Sequence, residues 1–195
     1  ASYQGPKLIV NGQEIENHLS LKESKGVLQI PLYVFSNMVN GLLTWDKDKN
    51  EAVLKLGKKE YRFQQDAKHV LVSSSTGQEK VTIPSPISVI GDVMYFPYNG
   101  LDAVFKVKTY SMSNLYYIDN QLLEMTVSEG EKNPVIKCNF SLPIVVNKKI
   151  TNGLAVFSFL NTALGPTFQP PSMDFIDKIL SLKRTNTTQS SVEVS

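Results

Sequence analysis

The stretch Val27-Leu-Gln-Ile-Pro-Leu-Tyr-Val-Phe-Ser-Asn-Met-Val39 decides the fold, because a short apolar strand runs through one proline into a helical pattern. Leu32, Phe35 and Val39 follow Pro31 at three- and four-residue steps, and such spacing places one apolar stripe on a core. Proline has no amide hydrogen, so it ends a strand and is accepted in the first turn of a helix. The stretch therefore predicts a strand followed by a short helix that packs across a small sheet.

The same arrangement returns later in the chain, with Pro97 standing 66 residues after Pro31. Val93-Met-Tyr-Phe-Pro97 repeats the strand, and Leu101 and Val104 lie on the stripe of a second short helix. An internal repeat of this kind indicates one small unit that is used twice.

Hairpin signals surround both helical patterns. In the first copy the helical spacing extends to Leu42, and Gly41 is expected to close the helix in the left-handed conformation. Before that helix, Asn11-Gly12 supplies the positive φ values of a type I′ hairpin turn, whereas the second copy has Ser73-Ser-Ser-Thr-Gly77 at this place. Each copy reads strand, strand, helix, strand, strand, and the two together make a core that neither makes alone.

Composition narrows the class of protein. The chain has 195 residues, 42% of them apolar, and a formal net charge of +2. The apolar share suffices for a packed core, and the near-balanced charge argues against binding to nucleic-acid phosphates. No run of about 18 apolar residues occurs, so we expect no membrane-spanning helix. The chain begins at Ala1 without a signal peptide, which suggests a processed or cloned segment of a longer protein.

The first copy contains a distinctive set of residues: Val10-Asn11-Gly12, Ile30-Pro31-Leu32, Phe35, Trp45-Asp46 and Val53-Leu54. This pattern resembles the copper amine oxidase N-terminal-like domain over roughly residues 6–118, although Tyr110-Ser111 replaces Trp-Asp in the second copy. The resemblance implies tandem modules of secreted proteins from Gram-positive bacteria. It also implies the non-catalytic part of the oxidase family, with neither copper nor quinone chemistry, so no cofactor is expected.

From about Asp119 the pattern changes to strands separated by turns. The strand candidates are Val135 to Ser141, Ile144 to Asn147, Leu154 to Leu160 and Ile179 to Arg184. Such spacing favours a β-sandwich, and the order of the strands resembles the amidase N-terminal (AMIN) domain. The predicted fold class is therefore α+β: two helix-on-antiparallel-sheet repeats over residues 1–118, followed by a small AMIN-like β-sandwich over residues 119–195.

One segment, Asp46-Lys-Asp-Lys-Asn-Glu51, begins like a calcium-binding loop. Such a loop requires Gly at its sixth position and Glu at its twelfth, and here these positions hold Glu51 and Gly57. A polar hairpin turn after Trp45 is the stronger interpretation, so no metal site is predicted.

Cysteine, histidine and carboxylate residues form no predicted catalytic site. Cys138 alternates with Ile136 and Phe140, so we expect it to face a core. A catalytic thiol needs a histidine beside it, and His18 and His69 lie in the other predicted domain. The aspartates weighed as acid–base partners occupy unrelated contexts: Asp102, Asp119 and Asp174. The chain is therefore predicted not to be an enzyme.

Five tyrosines cluster in the second copy: Tyr95, Tyr98, Tyr110, Tyr116 and Tyr117. Exposed rings could stack on the sugars of a glycan. Strands favour aromatic residues, however, so core or sheet-face positions are the stronger expectation for most of them. The residues that would bind a ligand stay unassigned from sequence.

Two functional classes follow from these patterns. The resemblances favour a non-catalytic region that binds peptidoglycan or another envelope glycan, in a secreted, cell-wall-associated protein whose parent is an N-acetylmuramoyl-L-alanine amidase. The alternative is an extracellular interaction or stalk module, in which an exposed sheet edge pairs with an envelope protein by strand addition. Neither class involves nucleic acid or a membrane span.

Overall fold

The computed structural model describes residues 4–16, 20–128, 135–144, 146–152, 154–171, 179–186 and 189–194. This part of the chain is mostly β, with several sheets and two short α-helices, in agreement with the predicted α+β class. The chain forms two compact units: one holds residues 1–8, 15–105 and 111–116, and the other holds residues 9–14, 106–110 and 117–195. The predicted division between positions 118 and 119 stays a prediction.

The elements follow one another in three groups. The first is β1 (Lys7–Val10), β2 (Gln13–Glu14), β3 (Lys22–Ser24), β4 (Val27–Pro31), α1 (Leu32–Met38), β5 (Leu42–Asp46), β6 (Glu51–Leu56) and β7 (Lys59–Gln64). The second is β8 (His69–Ser74), β9 (Gly77–Thr82), β10 (Ser88–Ile90), β11 (Val93–Pro97), a 3₁₀ turn (Tyr98–Gly100), α2 (Leu101–Phe105), β12 (Lys108–Met112) and β13 (Leu115–Ser128). The third is β14 (Val135–Phe140), β15 (Val146–Thr151), β16 (Leu154–Leu160), β17 (Thr162–Leu164), β18 (Ile179–Asn186) and β19 (Gln189–Val194).

The two strands that end in proline pair with each other. β4 runs antiparallel to β11, with Ile30 opposite Phe96 and Pro31 opposite Tyr95. β3 and β10 extend this sheet, whose order is β10-β11-β4-β3. The strand ends predicted at Pro31 and Pro97 are confirmed, because α1 begins directly after the first proline and the 3₁₀ turn directly after the second.

Aromatic side chains fill the space between this sheet, the helices and a second sheet of order β5-β6-β7-β8-β9. The ring of Phe105 on α2 lies at its centre, 4.5 Å from the Phe35 ring and 4.8 Å from the Tyr61 ring, centroid to centroid. Phe63 and Phe96 complete the cluster at 6.4 and 5.9 Å from Phe105. All five side chains are buried, so this cluster forms the core of the first unit.

The first helix ends earlier than its apolar spacing predicts. Asn40, with φ 53, takes the left-handed conformation expected of Gly41, since a short polar side chain tolerates it. A Cβ atom on Gly41 would lie 2.6 Å from Leu54 Cδ1 and 3.2 Å from the Lys55 carbonyl oxygen, so a close approach of β6 requires glycine there. Leu42 belongs to β5 and is 60% exposed, so its predicted place on the buried helical stripe is wrong.

The two predicted hairpins differ in their turns. Asn11 and Gly12 have φ values of 48 and 79, which confirms a type I′ turn between β1 and β2. The β8–β9 hairpin also closes with two residues, between the paired Ser74 and Gly77, but the positive φ falls on Gly77 at 137. The second copy therefore keeps the hairpin and changes the geometry of its turn.

A third sheet has the order β12-β13-β1-β2, and β14 and β17 also pair with β13. The fourth sheet has the order β15-β16-β19-β18. In the second unit, Phe140 on β14 meets Phe159 on β16 edge to face, with 5.1 Å between centroids, beside the buried Leu122 and Met125. Strands are confirmed close to the predicted positions, with β15 starting two residues later than expected.

A buried polar network centres on Asn120 of β13, whose side chain is fully buried. Its Oδ1 accepts hydrogen bonds from the Leu142 amide at 2.8 Å and the Ser141 hydroxyl at 2.9 Å, and its Nδ2 donates to Thr162 Oγ1 at 3.1 Å. The Asn120 amide donates to Asn11 Oδ1 at 3.0 Å. Because buried polar groups need partners, Asn120 ties three segments to β13: the turn after β1, the residues after β14 and the start of β17.

Removal of the central ring should destabilise the first unit strongly. We expect Phe105→Ala to lower the free energy of unfolding by about 3–5 kcal/mol, because it leaves a cavity among four rings. Phe105→Leu keeps part of the volume and should lose less. Chemical denaturation followed by far-UV circular dichroism measures the free energy of unfolding of both variants. Equally small losses of that free energy in the two variants, as at a surface position, would contradict a core role.

Loss of the Asn120 amide should destabilise the second unit. We expect Asn120→Ala to lower the free energy of unfolding by about 1–3 kcal/mol, because the Leu142 amide is left buried without an acceptor. Asn139→Ala is the matched control, since Asn139 is exposed on the neighbouring strand β14. Urea denaturation of both variants tests this, and an Asn120→Ala loss no greater than that of the control would argue against the network.

Candidate functional site

An open groove of about 280 Å³ lies beside the edge strand β5 in the first unit. Leu32, Leu43, Val93 and Met94 supply apolar walls from α1, β5 and β11. Thr44 and Ala52 also line the groove, two aromatic side chains and one carboxylate complete it, and none of these described lining residues is basic. The groove therefore presents an apolar surface together with hydroxyl groups and one carboxylate.

Trp45 is exposed because of its place on an edge strand. It lies opposite Ala52, which in turn lies opposite the buried Phe63, so Trp45 shares the core-facing side of the sheet. Among the described strands none lies beyond β5 in this sheet, and Trp45 is 49% exposed. In the described part of the chain, the indole ring stacks on no other ring.

Tyr33 and Asp92 complete the groove. Tyr33 lies in the first turn of α1 between the buried Leu32 and Val34, off the apolar stripe, and is 42% exposed. Asp92 is exposed in the β10–β11 turn, directly after Gly91 with φ 62. Within the described residues its carboxylate has no hydrogen-bond or ion-pair partner, so it is available as an acceptor.

The segment that begins like a calcium loop is a hairpin turn. Asp46 pairs with Glu51 across β5 and β6, which confirms the stronger interpretation. Arg62 Nη1 lies 3.0 Å from Asp46 Oδ2 and 3.3 Å from Glu51 Oε2, while its Nη2 lies 2.8 Å from Glu60 Oε1. The hydrogen bond from Arg62 holds the pKa of Asp46 below its usual value of 3.8. These carboxylates are engaged by a guanidinium, and the described residues contain no cluster of three or more potential metal ligands.

Four of the five clustered tyrosines lie on strands, in core or sheet-face positions, and Tyr98 lies in the 3₁₀ turn. Tyr95 and Tyr117 are buried, and the other three are half-buried. Tyr98 meets Tyr116 edge to face at 5.1 Å, and Tyr110 stacks on Tyr117 at 4.5 Å with 6° between the ring planes. Among the described residues, the exposed aromatic rings are instead Tyr33 and Trp45, which the sequence patterns marked only as parts of a helix and of a motif. The sequence held one signal of this exposure, since Tyr33 lies off the apolar stripe of the predicted helix.

The thiol is part of a core. Cys138 lies opposite Met125 and packs with Phe140 against the cluster of Leu122, Met125 and Phe159, as predicted. Burial raises the pKa of the Cys138 thiol, which disfavours the reactive thiolate.

The other described residues that were weighed for chemistry belong to separate elements. His69 is half-buried at the start of β8, opposite Thr82. Asp102 is exposed on α2, where its Oδ1 accepts a hydrogen bond from the Ala103 amide, and Asp119 is buried on β13. His18 and Asp174 lie outside the described residues.

Removal of Arg62 should make stability depend on pH in a defined direction. Because the folded-state pKa of Asp46 is lowered, its contribution to stability is present above pH 3.8 and is lost as pH falls through the folded value. We expect Arg62→Met to be less stable than wild type at pH 7, where three carboxylates repel one another, with the gap closing below pH 3.8.

Melting temperatures measured from pH 7 to pH 3 test this expectation. Lys59→Met is the matched control, since it removes one cation from the same strand without touching the three carboxylates. A gap between Arg62→Met and wild type that stays constant with pH would contradict the account of the cluster.

Among the described residues no helix is long and apolar enough to cross a membrane.

Comparison with known proteins identifies the family of the chain. No curated protein and no solved structure shows a significant match to the chain. The profile of the copper amine oxidase N-terminal domain, a non-catalytic accessory domain, matches residues 9–114, which is more than half of the chain and agrees with the resemblance found over roughly residues 6–118. The chain therefore belongs to the copper amine oxidase N-terminal domain family.

Proposed function

We propose that the chain is the non-catalytic, peptidoglycan-binding region of a secreted bacterial cell-wall protein, and that the parent protein is an N-acetylmuramoyl-L-alanine amidase. The observation that carries the proposal is the groove between Tyr33, Trp45 and Asp92. Membership of an accessory-domain family supports a binding role rather than a catalytic one.

The chemistry of the groove suits a glycan. Aromatic side chains offer a flat apolar surface of large area, and sugars present a C–H face that can lie on such a surface. A carboxylate that has no protein partner accepts hydrogen bonds from hydroxyl groups. Trp45, Tyr33 and Asp92 provide both features within one groove.

We propose the finer architecture along with the function. The repeat within residues 1–118 is supported by the recurring order of elements and by the pairing of Ile30 with Phe96, which stand 66 residues apart like Pro31 and Pro97. The AMIN-like β-sandwich over residues 119–195 is supported by the contact between Phe140 and Phe159, which joins strands of two sheets.

A second candidate is an extracellular interaction module that adds a strand from a partner protein. The observation in its favour is that β5 is the edge of the five-stranded sheet and carries Leu42, which is 60% exposed. Open strand edges with exposed apolar residues pair readily with other chains.

Binding to purified sacculi tests the proposed function. We expect the protein to sediment with sacculi freed of proteins and secondary polymers, and to do so at near-physiological salt, because aromatic stacking is weakly screened. Recovery of all the protein in the supernatant would contradict peptidoglycan binding. If light scattering then showed a mass that grows with concentration, the strand-addition candidate would be favoured.

A further inference from the structure

We infer that Trp45 is the platform for one N-acetylhexosamine ring of the glycan strand, and that the Asp92 carboxylate accepts a hydrogen bond from a hydroxyl of that ring. This inference rests on the proposed function and names its ligand and site. Tyr33 forms the second aromatic wall of the same groove.

The first argument is that packing does not require these side chains. In the second copy Tyr110 corresponds to Trp45, and its ring is covered by Tyr117 at 4.5 Å. Trp45 has the small Ala52 opposite it, so its ring is left open. The aromatic ring at this position is therefore covered in the second copy and exposed in the first, which argues against a common structural role.

The other two positions differ in the same way. The residue 66 positions after Tyr33 is Asn99, whose Nδ2 donates a hydrogen bond to Ser85 Oγ at 2.9 Å. The residue 66 positions before Asp92 is Gly26, which has no side chain to offer. The aromatic pair thus occurs only in the first copy and the carboxylate only in the second, so these positions form no equivalent second set, as expected for a ligand site.

The size and lining of the groove select the ligand. A volume of about 280 Å³ lies at the lower end of ligand pockets, so the groove fits one ring rather than an oligosaccharide. Because the described residues that line the groove include a carboxylate and no basic side chain, the groove is unsuited to a phosphate or another anion. Leu43 and Met94 suit the apolar face of a sugar ring and its acetamido methyl group. Two aromatic rings and a carboxylate would also attract an organic ammonium group, and the lysine-containing stem peptide in the test below separates that occupant from the sugar.

The chain contains a single tryptophan, so tryptophan emission, excited at wavelengths that tyrosine does not absorb, reports on this groove alone. We expect chitohexaose, an oligomer of β-1,4-linked N-acetylglucosamine without stem peptides, to shift and quench the emission of the full chain in a saturable way. Emission that is unchanged by chitohexaose would overturn the inference, as would a saturable response only to a lysine-containing stem peptide.

Three variants locate the site by their binding to sacculi. Trp45→Ala should weaken binding at least about tenfold, as loss of an aromatic anchor does, and Trp45→Phe should recover part of it. Asp92→Asn removes the charged acceptor and should weaken binding by a smaller factor. Leu42→Ala is the matched control, since Leu42 is exposed on the same strand but alternates to the other face of the sheet.

The outcomes separate the inference from the proposed function. Circular dichroism first establishes that each variant is folded. If wild type binds sacculi and Trp45→Ala binds equally well, the groove is not the site, while the proposed function stands. If wild type does not bind sacculi at all, the proposed function fails, and a saturable emission response to chitohexaose would then still support the groove as a sugar site.

Discussion

Ile30 and Phe96 face each other where β4 pairs with β11, and neither side chain reaches solvent. Each strand ends in a proline, so the chain must leave the sheet at that point and enter a helix or a 3₁₀ turn. The helices that follow bring Phe35 and Phe105 to within 4.5 Å of each other, centroid to centroid. One pairing therefore fixes where both helices lie and assembles a single core from two segments.

That core determines which aromatic side chains remain for binding. Phe35, Phe63, Phe96, Phe105 and Tyr61 contact one another, and the clustered tyrosines of the second copy also find ring or core partners. Trp45 and Tyr33 fall outside these contacts because one lies on an edge strand and the other lies off the helical stripe. The groove therefore lies where the aromatic core leaves side chains uncovered. Its carboxylate, Asp92, comes from the turn between β10 and β11, which belong to the same sheet as β4.

Sequence patterns predicted much of the fold and little of the groove. The prolines, the Asn11-Gly12 turn and the apolar alternation each determine the conformation of only a few neighbouring residues. The strand ends and the turn could therefore be predicted from short stretches of sequence. The end of the first helix could not, since the left-handed residue is Asn40, and the glycine at position 41 answers the close approach of Leu54 and Lys55 from another strand. The groove joins residues about 60 positions apart in sequence, from Tyr33 to Asp92, and strand pairing alone reveals that Trp45 lies on an edge.

The claim that two segments share one core can be tested by making them separately. Residues 1–66 and residues 67–128 would be produced as two fragments, and amide nuclear magnetic resonance spectra recorded for each alone and for the mixture. The account predicts narrow, unfolded spectra for each fragment and a dispersed spectrum on mixing, because neither fragment can bury its own side of the β4–β11 pair. A dispersed spectrum from either fragment alone would contradict it.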